Sequence, residues 1–136
     1  MPGNKNIFSK KKILIYGLGK SGLSSYLFLK KKNDIYLYDD NKSIIKNKKI
    51  QKLFIKPNYI NKINFDFVVI SPGINIRKCY LKSFLEKNFK KIVTDLDVFY
   101  DRYFKNKNIT ITGTNGKSTT SKILFDILIN QKRDVR

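Results

Sequence analysis

The chain has 136 residues, 41% of them apolar, with 29 Lys+Arg against 10 Asp+Glu, one cysteine and no histidine. That composition excludes a polar disordered tail, an internal disulfide, Ser-His or Cys-His nucleophile systems and any His-ligated metal site, and no apolar run approaches the ~20 residues of a spanning helix. The net charge of +19 suggests a polyanion partner, but the only arginines are Arg77, Arg102, Arg133 and Arg136, and base reading leans on arginine. The lysine excess comes with abundant Asn and Ile along the whole chain, the pattern of AT-rich codons, so no nucleic-acid partner is expected.

In chain order, residues 1–11 read as a basic, unstructured lead-in without the apolar core of a signal peptide. With the lone Cys79 this fits a reducing, cytoplasmic compartment, and no membrane partner is expected. Lys12–Tyr16 is a short apolar run closed by Gly17, a buried strand. Lys20–Lys32 is predicted helical, with Leu23, Tyr26, Leu27 and Leu29 as its buried stripe and Asn33 as a left-handed cap. Ile35–Tyr38 is a second strand, ending at Asp39-Asp40. Residues 41–64 are rich in Lys and Asn and are broken at Pro57. A short helix and a strand at Leu53–Ile55 are expected there.

Phe67–Ile70 is a continuous β-prone run of the parallel-sheet kind, and Ser71-Pro72-Gly73 forces a turn after it. Tyr80–Lys87 reads as a helix and Lys91–Val93 as a strand. Thr94, with Asp95 and Asp97, opens a helix expected to bury Leu96, Phe99, Tyr100 and Tyr103. Lys105–Asn108 is a polar linker. Ile109–Thr112 reads as a strand, Gly113–Ser118 as a loop, and Lys117–Asn130 as a helix with Ile123, Leu124, Ile127 and Leu128 on one face. Alternating strands and helices predict an α/β fold: a Rossmann-like parallel-sheet domain over 1–107, then the first strand, phosphate loop and helix of a truncated second domain over 108–136.

Two glycine-rich loops carry the chemistry. Gly17-Leu18-Gly19-Lys20-Ser21-Gly22 is a complete G-x-G-x-x-G between a strand and a helix, and Asp39 lies 22 positions after Gly17 at the end of the next strand. Glycines there let backbone approach a phosphate at a helix N-terminus, and the acid can accept from a ribose hydroxyl. The bland alternative is a tight turn and an ordinary strand-end acid. Gly113-Thr114-Asn115-Gly116-Lys117-Ser118-Thr119 is a shortened G-x-x-G-K-[ST] loop. Its amides would cradle an anion, Lys117 would neutralise phosphate charge, and Ser118 would hold Mg²⁺. Ser71-Pro72-Gly73-Ile74 follows a buried strand at the sheet edge where ligands bind in such folds. A plain turn is the alternative. Two other classes stay open on the residues alone: an NAD-type dinucleotide-binding domain and a basic nucleic-acid-binding protein.

These motifs, with Asp95-Leu96-Asp97-Val98-Phe99 and in this order, resemble the Mur ligases of bacterial peptidoglycan synthesis, nearest to the branch that adds D-glutamate. The resemblance spans about residues 12–136. It implies a cytoplasmic, monomeric, ATP-dependent carboxylate-amine ligase that joins D-glutamate to UDP-N-acetylmuramoyl-L-alanine through an acyl phosphate, with ATP and Mg²⁺ as cofactors. Carried over by position, Gly19, Lys20, Ser21, Asp39 and Gly73 would bind the uridine diphosphate, with Asp40 and Asn41 as weaker candidates. Gly113, Thr114, Asn115, Gly116, Lys117, Ser118 and Thr119 would bind ATP, with Lys117 catalytic and Ser118 the metal ligand. The resemblance also implies further domains, so the chain as given is expected to be an inactive N-terminal fragment.

Overall fold

The structure is a computed structural model that describes residues 7–46, 50–103 and 105–135. It divides into two compact units, one up to residue 104 and one from 105 onward.

The first unit is built on four parallel strands: β1 (Lys12–Tyr16), β2 (Asp34–Tyr38), β3 (Phe67–Ile70) and β4 (Ile92–Val93), in the order β2-β1-β3-β4. Helix α1 (Lys20–Leu29) links β1 to β2, and α2 (Pro57–Ile60) lies between β2 and β3. Helix α3 (Lys82–Lys87) precedes β4, and α4 (Asp95–Tyr103) follows it. The order reverses direction at β1: the chain moves out to β2, then returns to the other side of β1 for β3. That makes the carboxyl ends of β1 and β3 a topological switch point, where an open α/β sheet leaves a crevice.

Strand alternation sorts the core into two layers. Ile13, Ile15, Ile35, Leu37 and Val69 face one side, with Leu18, Leu29 of α1 and Val98 of α4. Leu14, Tyr16, Tyr38, Val68 and Ile70 face the other, with Ile60 of α2 and Phe84 and Leu85 of α3. Each fully buried aliphatic side chain contributes ~1.5–3 kcal/mol of transfer free energy.

Several expectations are corrected in detail. Residues 1–6 of the expected lead-in lie outside the described residues. Phe8 is buried, with its ring 4.7 Å from that of Phe67, so this stretch is part of the core rather than unstructured. Helix α1 presents Gly22, Ser25 and Leu29 inward, and leaves Leu23, Leu27 and Phe28 exposed. Its rotation is set by Gly22, which must sit against the Gly17 turn, so residues 22, 25, 26 and 29 form the inner face. Asn33 is not left-handed. Its side-chain amide caps the helix by donating to Leu29 O at 2.8 Å.

Helix α4 buries Val98, whereas Leu96, Phe99 and Tyr100 are exposed. Of the stripe expected to face the core, Tyr103 is half-buried and the other three face out. Its start is as expected: Thr94 N and Oγ1 both donate to Asp97 Oδ2, at 2.7 and 2.8 Å. The expected strand at Leu53–Ile55 is reduced to one parallel bridge, Leu37 to Phe54, after a 3₁₀ turn over Gln51–Leu53.

The second unit holds α5 (Lys117–Asn130) and the loop before it. Ile109–Thr112 is irregular rather than a strand. A strand exists by its ladder, and none of the described strand pairings includes this segment. Ile123 and Ile127 are exposed and Leu124 and Leu128 half-buried.

Candidate functional site

At the switch point, the glycines of the first loop are not equivalent. Gly17 has φ +89°, a left-handed conformation that strains any residue with a Cβ. A Cβ on Gly22 would fall 1.8 Å from Gly17 O, so the helix can approach the turn only with hydrogen at this position. Leu18 is buried and plugs the loop into the core. Gly19 differs from these. It is the N-cap of α1 with φ −66° and ψ −167°, and a Cβ there would meet nothing within 4 Å. Nothing inside the protein requires glycine at 19. The same is true of Gly73 in the loop after β3, where a Cβ would also meet only open space.

The two loops are stitched together. Ser71 N donates to Tyr16 O at 3.0 Å, and Ser71 Oγ donates to Gly17 O at 2.7 Å. Ile74 N closes the Ser71 turn by donating to Ser71 O at 3.0 Å. The Gly17–Gly22 loop and the turn after β3 thus lie side by side at the carboxyl ends of β1 and β3, where α1 begins. The first bond of that helix runs from Leu23 N to Gly19 O. The amides of residues 20–22 precede it and belong to the turn whose donors have no intrahelical acceptor.

Asp39 is held more tightly than a strand-end acid needs to be. Its Oδ2 accepts from Leu18 N at 2.6 Å and its Oδ1 from Asn41 N at 2.8 Å. Oδ2 therefore fastens the glycine loop to the end of β2, while Oδ1 closes a local turn onto Asn41. Asp40, next to it, is exposed, and its Oδ2 accepts from Tyr16 Oη at 2.7 Å. Tyr16 and Tyr38 are register partners at the last position of β1 and β2, with their rings 5.3 Å apart in an edge-on contact. Burial raises both phenols above their ordinary value, helped next by the Asp40 hydrogen bond at Tyr16 and by the Asp40 charge at Tyr38, which reaches about 12. Each remains a proton donor throughout the physiological range.

Sequence reasoning did not pick out this tyrosine pair. The signal was present: Tyr16 and Tyr38 precede Gly17 and Asp39, so the same 22-residue spacing relates both pairs.

In the second unit Gly113 has φ +148° and Gly116, the N-cap of α5, has φ +75°. Lys117 folds back over the loop, and its ammonium donates to Gly113 O and to Thr114 O, the latter at 3.4 Å. Thr120 N donates to Gly116 O at 2.9 Å and starts the helix. Thr114, Asn115, Ser118 and Thr119 are exposed around that turn. The arrangement presents amides, hydroxyls and one ammonium to solvent, the chemistry that suits a polyphosphate. Among the described residues no group of three or more acidic or thiol side chains could hold a metal by itself, and no helix is long and apolar enough to cross a membrane.

The family described as Mur ligase MurD-like, N-terminal domain, matches residues 11–93. The UDP-N-acetylmuramoylalanine--D-glutamate ligase of Rickettsia prowazekii is 37% identical over 129 residues, covering 90% of this chain and 28% of that protein. Its counterpart in Rickettsia bellii is 37% identical over 135 residues (94% and 29%), and that of Caldicellulosiruptor saccharolyticus 37% over 129 (87% and 28%). No solved structure matches. The chain belongs to the MurD-like N-terminal domain family, and it spans little more than a quarter of the length of these relatives.

Proposed function

We propose, from that family membership, that the chain is the amino-terminal part of an ATP-dependent ligase that joins D-glutamate to UDP-N-acetylmuramoyl-L-alanine in peptidoglycan precursor synthesis. On this reading the first unit holds the uridine diphosphate end of the substrate, and the loop Gly113–Thr119 holds ATP. The observation that carries it is the pair Gly19 and Gly73. Both are bare of any protein neighbour a Cβ would strike, and both belong to loops stitched together at the switch point. A diphosphate lying across the crevice would use the space that side chains leave empty, with Lys20 and the amides at the start of α1 as its counter-charge.

The chemistry of such a ligase is phosphoryl transfer to a carboxylate, followed by amine attack on the acyl phosphate. It demands alignment and charge neutralisation rather than a protein nucleophile, which suits a chain without histidine. Lys117 supplies one positive charge toward the transferred phosphoryl group. Ser118 offers one hard oxygen, which fits a Mg²⁺ that takes most of its other ligands from phosphate and water. When bound, that ion would neutralise charge on the phosphate oxygens.

Isothermal titration of the full 136-residue chain with UDP tests the first half. Saturable binding, weakened several-fold in Lys20→Ala and unchanged in Lys117→Ala, is the expected result. No heat of binding at millimolar UDP would overturn it. Titration with ATP and Mg²⁺ tests the second half, and Lys117→Ala should abolish whatever binding the parent shows.

A further inference from the structure

Composition spreads lysine along the chain, but the fold gathers six lysines at one edge of the sheet. The stretch Lys10–Lys12, entering β1, lies beside Lys30–Lys32, leaving α1. Lys10 N donates to Lys32 O at 2.8 Å, Lys11 N to Asn33 Oδ1 at 3.0 Å, and Asp34 N to Lys11 O at 2.9 Å. Lys10 takes its place at φ +57°, a left-handed conformation uncommon for a residue with a Cβ. Two acids stand among the six. Asp66 pairs with Lys11, with Nζ to Oδ1 at 3.4 Å, and Asp34 opens β2. The other five lysines have no ion pair among the described residues. The two stretches border an open depression of about 810 Å³ whose lining residues are all polar. Sites for small ligands are walled mainly by apolar groups, so this one has the character of a docking surface.

Apolar side chains stand next to the lysines. Leu27 and Phe28, in the last turn of α1, are 57% and 48% exposed and belong to neither core layer. Lysines alone would suit any polyanion. Lysines beside a protruding Leu and Phe suit a surface that is anionic at its face and apolar beneath it. Nucleic acid fits less well: none of the six cations is arginine, and a phosphate backbone offers nothing to an aliphatic side chain. We propose that this edge of the first unit, Lys10–Lys12 and Lys30–Lys32 with Leu27 and Phe28, docks on the headgroups of an anionic lipid bilayer. The contact is peripheral and needs no spanning helix. It uses the amino ends of β1 and β2, the opposite end of the strands from the Gly17–Gly22 loop, so docking leaves that loop uncovered.

Cosedimentation of the full 136-residue chain with lipid vesicles tests the proposal. Vesicles of one-third phosphatidylglycerol in phosphatidylcholine should capture the chain, pure phosphatidylcholine should not, and added salt should release it. Lys31→Gln with Lys32→Gln should weaken capture ~25-fold, at about fivefold for each lysine near an anionic surface. The same charge change made in the linker, Lys105→Gln with Lys107→Gln, should weaken it far less. Leu27→Gln with Phe28→Gln keeps the net charge and a good helix former, and should weaken capture several-fold. All six positions are exposed, and far-ultraviolet circular dichroism checks that each variant folds. Equal loss in the two lysine pairs would mean that net charge alone draws the chain. Undiminished capture in the Leu27 and Phe28 variant is the behaviour of a nucleic-acid surface. Either result overturns the proposal, as does failure of the anionic vesicles to capture the parent. UDP titrations of the same variants should match the parent, so the uridine reading stands or falls separately.

Discussion

Gly22→Ala is the sharpest test of how the first loop is built. Helix propensity alone favours the change, since alanine in a helix interior is better than glycine by ~1 kcal/mol. The contact geometry opposes it. The new methyl would lie 1.8 Å from Gly17 O and 2.9 Å from both Gly17 C and Ser71 Oγ. Two of these atoms are backbone and cannot swing aside. Either α1 lifts away from β1 or the Gly17 turn opens. Forced backbone shifts of this kind cost ~1–3 kcal/mol. Opening the turn also strains the bond from Ser71 Oγ to Gly17 O, a further ~1 kcal/mol. After subtracting the propensity gain, the expected net loss is ~1–3 kcal/mol.

Urea unfolding followed by far-ultraviolet circular dichroism measures it, with Gly19→Ala as the control. That position is equally a glycine of the motif, but its Cβ would meet open space. Gly19→Ala should therefore keep the midpoint of the parent, within the ~0.5 kcal/mol of ordinary surface changes, and lose affinity for UDP. If Gly22→Ala unfolds at the same urea concentration as the parent, the glycine is not needed for close packing. The account of why α1 turns its Leu27 outward would then be wrong.

Three further outcomes follow from the same coordinates. Asp97→Ala removes the acceptor of both Thr94 bonds at the start of α4 and should cost ~1 kcal/mol in the same unfolding assay, with Asp97→Asn recovering part of it. Tyr38 has its phenol raised from 10.0 to about 12 by burial and the Asp40 charge. A raised value stabilises the fold below the unfolded pKa and is lost as pH rises between these two values. Thermal midpoints should therefore fall over that alkaline window in the parent and fall less in Tyr38→Phe. Asp66 is held below its ordinary 3.8, first by the Lys12 amide. A lowered value contributes above 3.8 and is lost as pH falls below it, so the stability gap between the parent and Asp66→Asn should narrow at acid pH.

The glycine pattern was legible because its demands are local. A left-handed turn, a strand before it and a helix after it can be read from six residues. The parallel sheet was legible for a related reason: short apolar runs separated by helical stretches leave few topologies. Faces of helices were not legible from periodicity alone. On α1 and α4 the most apolar stripe lies outside, because the inner face is chosen by what can come close rather than by what is most greasy. Gly22 and Ser25 let α1 approach the sheet in a way that Leu23 and Leu27 do not. The segment Ile109–Thr112 was misread because strand pattern alone does not supply the ladder partner that makes a strand.

The same distinction separates the two acids at the end of β2. By motif spacing Asp39 is the ligand residue, and a reader of the sequence stops there. The hydrogen bonds show Asp39 serving the fold: Oδ2 takes Leu18 N of the glycine loop, across the join between β1 and β2, and Oδ1 takes Asn41 N in a local turn. Each oxygen has a further lone pair, so Asp39 can still accept from a ribose hydroxyl, but it cannot move to find one. It is thus a rigid acceptor whose removal costs both folding and binding. Asp40 stands apart because its one described hydrogen bond comes from a side chain, Tyr16, that has no part in the loop. Asp39→Asn should therefore destabilise the chain and weaken UDP, whereas Asp40→Asn should leave the unfolding midpoint nearly in place. Urea midpoints for both variants, set beside their UDP affinities, separate the two roles. If both acids shift the midpoint equally, the division of labour argued here does not exist.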